Sequence, residues 1–191
     1  MLAEQALIDS LAYFGDTLAV LCYHVHGTYQ TVEAGERHLF YGEPIIPTTV
    51  FDGTDQVFVE NPPFTTIFEN HIRAALSVTP YFNLYITEAT ASLDSGRFNL
   101  KIVTADTIPD DEIVAFVAIT EDSLPGVYDI FNHACRFLFQ FPVDLVYPDS
   151  LDTTITFDHR IPVNRMKTIV FIQDMDTKEV MQSIIREFEE E

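Results

Sequence analysis

At Val78-Thr79-Pro80 the hydrophobic period of this chain changes, and the change separates two kinds of fold. Before it, Ile67, Phe68, Ile72, Ala75 and Leu76 share one side of an amphipathic helix predicted over Phe64 to Leu76. After it, Phe82, Leu84 and Ile86 alternate with Tyr81, Asn83 and Tyr85. Side chains repeat every 3.6 residues in a helix and every two in a strand, so neither pattern fits the other element. Pro80 also disfavours helical backbone at Thr79. The chain therefore reads as two units, an α/β unit over residues 1–79 and an all-β unit over 80–191.

The second unit reads as an antiparallel β-sandwich. Asp94-Ser95-Gly96 turns the chain, and Phe98, Leu100 and Ile102 alternate again. Ile113 to Ile119 is apolar on both faces and reads as a central strand. Thr153 to Asp158 alternates and Thr168 to Ile172 is apolar. Short strands at this spacing, divided by turns, suit a sandwich. Residues 126–148 give no clear period. Asp176 and Glu179 have the spacing of a capping box, which predicts a last helix carrying Val180, Met181, Ile184, Ile185 and Phe188. Three terminal glutamates oppose that helix's dipole and should fray it.

The first unit mixes helices and strands. A helix is expected over Ala3 to Phe14, ended by Gly15. Leu18 to Val25 is an apolar run of strand length, read as a covered strand. A short helix over Glu33 to Tyr41 ends at Gly42. Then Pro47 opens a strand over Thr48 to Phe51, Asp52-Gly53 turns it, and Gln56 to Glu60 returns. Ile46-Pro47 is a candidate cis peptide. Asn61-Pro62-Pro63 breaks the chain before the Phe64 helix.

Thirty acidic residues against ten basic ones give a formal charge of −20 over 191 residues. Such a surface repels phosphates, so nucleic acid is not an expected partner, nor is an anionic membrane. No stretch is apolar and long enough to span a bilayer. The first ten residues carry no basic region or cleavage site of a signal peptide.

Five runs resemble one bacterial family. They are Tyr23 to Val25, the ERHLFYG run at Glu36 to Gly42, IPTTVFDGT at Ile46 to Thr54, FNHACR at Phe131 to Arg136, and IVFIQDMDTKEVMQS at Ile169 to Ser183. In order and spacing they resemble the outer-membrane lipoproteins named for a mass of twenty-eight kilodaltons. That resemblance implies a thioredoxin-like domain followed by a β-sandwich. It puts Pro47 at the cis-proline position beside a redox site. It also implies that a C-x-x-C pair and the central strand of the thioredoxin-like sheet lie ahead of Met1. The strands at Leu18 to Val25 and Thr48 to Phe51 would then each present an edge; the two edges either pair directly with each other or take a strand from a second copy, and association of two copies is the expectation.

Several residues invite chemical readings. His24 and His26, two apart at a strand end, could share a metal, with His38, Glu33 or Glu36 as third ligand. The plainer reading is a strand-end pair. Cys135 stands beside His133 and Arg136, as an activated thiol would, whereas Cys22 lies in an apolar run and reads as a small hydrophobe. Arg136 more simply forms an ion pair. Phe131, Phe137, Phe139 and Phe141 suit a ligand groove or one face of a core strand. Asp106, Asp110, Asp111, Glu112, Glu121 and Asp122 are loop carboxylates, a cation site only if they converge.

No cofactor and no catalytic residue is expected from the chain as it stands. The leading reading is a non-catalytic binding or interaction protein of the bacterial cell envelope with a protein or peptide partner. The alternative is a thiol-disulfide oxidoreductase whose C-x-x-C lies upstream. The envelope or periplasm goes with an upstream signal peptide, and a cytoplasmic location with Met1 as the true start.

Overall fold

The computed structural model describes residues 18–58, 64–108, 112–126 and 130–191. The helix expected over Ala3 to Phe14 and the Asn61-Pro62-Pro63 break lie outside the described residues, as do Asp110 and Asp111. Strands dominate, with two helices among the described residues, α1 (Val32–Phe40) and α2 (Phe64–Ala75). None of the described helices is long and apolar enough to cross a membrane.

Two four-stranded sheets make a sandwich. One contains β3 (Phe82–Ala91), β4 (Ser95–Thr104), β9 (Ser150–Asp158) and β12 (Glu189–Glu190), in the order β12-β3-β4-β9. The other contains β5 (Ile113–Glu121), β8 (Ala134–Pro142), β10 (Met166–Asp174) and β11 (Val180–Glu187), in the order β11-β10-β5-β8. A small hairpin of β6 (Leu124–Pro125) and β7 (Ile130–Phe131) projects between β5 and β8. The alternation of β3 and β4 sends Phe82, Leu84, Ile86, Phe98, Leu100 and Ile102 into the space between the sheets, where they meet Val117, Ile119, Val170 and Ile172. Glu88 and Ala89 face the single residue Phe98 in a bulge that keeps Ala89 buried. Gly96 is required by packing, since a side chain there would strike the Phe157 ring.

The β11-β10-β5-β8 sheet is apolar on its outer face too. Val114, Phe116, Ala118, Cys135, Ile169 and Phe171 form a second cluster, covered by Ala19, Leu21 and Tyr23. This is why Ile113 to Ile119 reads as apolar on both faces, and all nine residues of β5 are buried. The cover explains one difference from the sequence reading. Leu18 to Val25 is not a strand of an α/β sheet. It is an extended segment joined to β8 by a single bridge, Cys22 opposite Ala134, with the Cys22 N–H on His133 O and the Cys135 N–H on Cys22 O, each 2.9 Å. Its Ala19, Leu21 and Tyr23 side chains meet the outer face.

The C-terminal helix is also corrected. Val180–Glu187 is β11, paired antiparallel with β10. Val180 and Ile185 pack on the outer cluster, Met181 and Ile184 on the inner core. That division is not simple alternation: a bulge opposite Ile172 and Gln173 leaves Met181 unpaired, which brings it to the same side as Ile184. The expected cap is replaced by Asp174, whose carboxylate accepts from the N–H groups of Asp176 and Thr177 at 2.8 and 3.1 Å and from the Thr177 hydroxyl at 2.8 Å. This side-chain turn closes a hairpin instead of opening a helix. The terminal glutamates do not fray a helix; Glu189 and Glu190 pair parallel with Thr90 and Ala91.

Ahead of the sandwich, β1 (Thr48–Phe51) and β2 (Asp55–Phe58) form the expected hairpin. Asp52 and Gly53 take positive φ of 42° and 80°. The Ile46-Pro47 peptide is cis. Phe51 packs against Phe68 and stacks on His71 of α2. Phe68 and Ile72 are buried as the helical stripe requires, but Leu76, placed on that stripe, is exposed because α2 has ended at Ala75. The hairpin tip clips onto the β10–β11 turn. The Val180 N–H donates to Asp52 O at 2.8 Å, and Gly53 lies so close to the Lys178 carbonyl that no side chain fits.

Candidate functional site

Helix α1 starts at Thr31, whose hydroxyl accepts from the Ala34 N–H at 3.1 Å, and stops at Gly42 with φ of 82°. Its inward side carries Ala34, Arg37 and, past one more turn, Phe40 and Tyr41. An arginine thus occupies the position where a core helix would place a leucine. Arg37 is only 4% exposed.

The Arg37 guanidinium donates through Nη2 to Tyr41 Oη and to Gln173 Oε1, both at 2.6 Å. Its Cζ stands 4.5 Å from the Phe40 ring centre, 4.8 Å from Tyr41, 4.6 Å from Phe116 and 5.7 Å from Phe171. An aromatic face attracts a desolvated cation by about 2 kcal/mol or more. Burying that cation costs several kcal/mol without a counter-ion. None of the ion pairs among the described residues includes Arg37, and its buried Nε has no hydrogen-bond partner. Gln173, fully buried, passes the network on from Nε2 to Tyr41 Oη at 3.2 Å and to Lys178 O at 2.6 Å. Lys178 Nζ donates to the Phe40 carbonyl at 2.6 Å, a cation at the end of α1 where the helix dipole favours one. Burial raises the Tyr23 phenol above its ordinary range while nearby Arg37 pulls the other way, so the phenol keeps its proton.

Arg37 lines a cavity of about 280 Å³ between α1 and the outer face of the sheet. Phe40, Phe116, Leu138 and Met175 give apolar wall, and Glu33 and Glu36, one turn apart on α1, line it as well. The ERHLFYG run contains this arginine, but sequence reasoning did not single it out. A usable signal was present: a cation on the apolar stripe of a helix, in a chain with ten basic residues in all.

The residues flagged from sequence sit elsewhere. His24 packs edge-on against Phe131 at 4.8 Å and Tyr29 at 5.9 Å, whereas His26 is exposed. Burial, helped by Arg136, lowers the His24 pKa. Among the described residues no three His, Cys, Asp or Glu side chains are grouped to hold a metal. Cys135 is buried, its thiol donates to Phe137 O at 3.7 Å, and burial with the nearby Glu33 carboxylate pushes it up to about 12. His133 takes a positive φ of 57°, and its N–H donates to Asp122 Oδ1 at 2.7 Å. Its ring Nδ1 lies 3.8 Å from that carboxylate, too far for a hydrogen bond, and has no partner. Burial would raise the Asp122 carboxyl, but the His133 N–H and Lys167, whose Nζ is 2.9 Å away, hold it below the usual range. Arg136 pairs with Glu121 at 3.4 Å and lies over the Tyr29 ring. Phe139 and Phe141 pack against the inner core, Phe139 also lining the Arg37 cavity, while Phe131 joins the His24 ring cluster and Phe137 is 40% exposed. They form no single groove. Glu121 and Asp122 are taken by cationic side chains, so they do not form a cation site.

No protein-family model matches the chain, and no curated protein does. Solved structures do. HBP35 of Porphyromonas gingivalis matches with a TM-score of 0.65 at 10% identity, over 82% of this chain and 58% of that one. The chain therefore spans under two thirds of the length of HBP35. A domain of the outer membrane lipoprotein Omp28, also from Porphyromonas gingivalis, matches with a TM-score of 0.40 at 10% identity, over 60% of this chain and 93% of that one. The HBP35 likeness shows a shared fold, and it extends over more of the chain than the sandwich alone can supply.

Proposed function

We propose that this chain is a non-catalytic binding protein of the bacterial cell envelope whose ligand enters the cavity floored by Arg37. One observation carries the reading: an arginine residue 4% exposed, with no carboxylate paired to it among the described residues, lining a cavity of about 280 Å³. Pockets of roughly this size with apolar walls and few polar groups are where small ligands bind. The envelope placement is supported by the resemblance of the IPTTVFDGT and FNHACR runs to outer-membrane lipoproteins. In the same reading the region of α1, β1, β2 and α2 is a thioredoxin-like unit, supported by that succession of elements with Pro47 opening β1.

Thermal unfolding of the 191-residue chain with a panel of small amphipathic acids, amines and zwitterions tests the reading, with Arg37→Met as control. A ligand at ten times its Kd adds about 1.4 kcal/mol, or roughly 3–6 °C in a domain of this size. At least one member should raise the melting temperature of the wild type and leave Arg37→Met unmoved. No shift across the panel, or equal shifts in both proteins, overturns it.

A further inference from the structure

We infer that the Arg37 cavity is built for a small zwitterion of the α-amino-acid type with an apolar side chain. The inference rests on the binding reading above and names its ligand class. Three chemistries meet in one space. Arg37 lines the space and supplies positive charge that no carboxylate neutralises among the described residues. Phe40, Phe116, Leu138 and Met175 supply apolar wall, and Glu33 and Glu36 supply negative charge.

Each simpler ligand leaves one of these unanswered. A plain carboxylic acid would satisfy the guanidinium through charge-assisted hydrogen bonds but would bring its charge close to two glutamates. A plain amine would suit the glutamates and leave the buried cation without a counter-ion. An ammonium and a carboxylate on one carbon answer both. The whole molecule selects in the same direction. At a formal charge of −20 the protein repels net anions at long range, and a neutral zwitterion escapes that barrier. An apolar side chain on the ligand fills the remaining wall. The position of the cavity also fits: α1 sits on the outer face of the sheet, and Glu36 is exposed to solvent at its rim.

Titration calorimetry on the full chain with three phenyl probes decides the matter. L-Phenylalanine carries both charges, 3-phenylpropanoate lacks the ammonium, and 2-phenylethylamine lacks the carboxylate. L-Phenylalanine should bind at least tenfold more tightly than either. Arg37→Lys should weaken it while keeping the fold, and Arg37→Met should abolish it. Glu33→Gln with Glu36→Gln, made at partly exposed positions, should weaken L-phenylalanine and strengthen 3-phenylpropanoate. If 3-phenylpropanoate or the amine binds as well as L-phenylalanine, and the binding depends on Arg37, the cavity stands and the zwitterion assignment falls. If a compound of the wider panel binds through Arg37 while none of the three phenyl probes does, the assignment falls alone. If nothing binds in either experiment, the binding reading falls with it.

Discussion

Alternate residues of β5 face opposite environments. Ile113, Ala115, Val117 and Ile119 point into the space between the two sheets, and Val114, Phe116 and Ala118 point to the outer face under α1 and residues 18–25. The inner neighbours are almost all hydrocarbon. The outer face has a smaller apolar cluster and also takes in Arg37, Gln173 and Tyr23, a cavity, and a donor without an acceptor. Close packing on one face supports the fold, and that support allows the other face to hold a buried charge. Such a charge lowers stability in a protein with only about 5–15 kcal/mol to lose, so its presence points to use more than to structure.

Matched substitutions on the two faces should separate these roles, and the inner one should have the larger effect. Ile119 is fully buried and surrounded by aliphatic side chains. Ile119→Ala should cost about 2–5 kcal/mol in urea unfolding. Arg37→Met should cost less than about 1.5 kcal/mol, because losing two hydrogen bonds is offset by no longer burying a cation. A loss at Arg37 as large as that at Ile119 would mean that the outer face is ordinary core and its charge a structural pin.

The inner face was the legible one. The alternation at Phe82 to Ile86 and Phe98 to Ile102, and the unbroken run at Ile113 to Ile119, report burial directly. The outer face was hard to read because it is built from distant pieces. Leu18 to Val25 has the composition of a sheet strand, and only the fold shows that Ala19, Leu21 and Tyr23 lie on another sheet's back. Val180 to Phe188 fits a helical stripe, and as a strand it needs a bulge at Met181; Asp174, two residues ahead of the expected cap, makes the side-chain turn of a hairpin instead. Arg37 was hidden for a different reason. Its partners Gln173, Phe116 and Phe171 are far away in sequence, and a single arginine on an apolar stripe carries no spacing to detect.

Acid should act mainly where the outer face ends. Burial lowers the pKa of both His133 and His24 below the ordinary 6.5. In that interval the unfolded chain binds more protons than the folded one, so stability falls as pH drops below about 6.5 and levels off below the folded values. His133→Asn keeps a residue that tolerates the positive φ and keeps the N–H to Asp122. It should flatten the slope of unfolding free energy between pH 6.5 and 5 relative to wild type. An unchanged slope would show that His133 is as exposed to protons folded as unfolded.

The smallest effect concerns the cysteines, where the comparison predicts no difference between two proteins. Cys135 belongs to the outer cluster, yet its surroundings give it the chemistry of the inner face. It is 1% exposed, and its thiol is pushed up to about 12. At pH 7 that leaves a thiolate fraction on the order of 10⁻⁵, and the thiolate is the species that attacks a disulfide. Cys22 bridges to Ala134, and its neighbours Leu21 and Tyr23 pack on the outer cluster, so this segment holds its backbone against β8. Insulin reduction with dithiothreitol should therefore run at the same rate with the 191-residue chain as with a Cys22→Ser, Cys135→Ser double variant. Turnover clearly above the double variant would mean that Cys135 reaches solvent as a thiolate. The N-terminal cover would then have to open, and the outer face would be a gate instead of a fixed wall around Arg37.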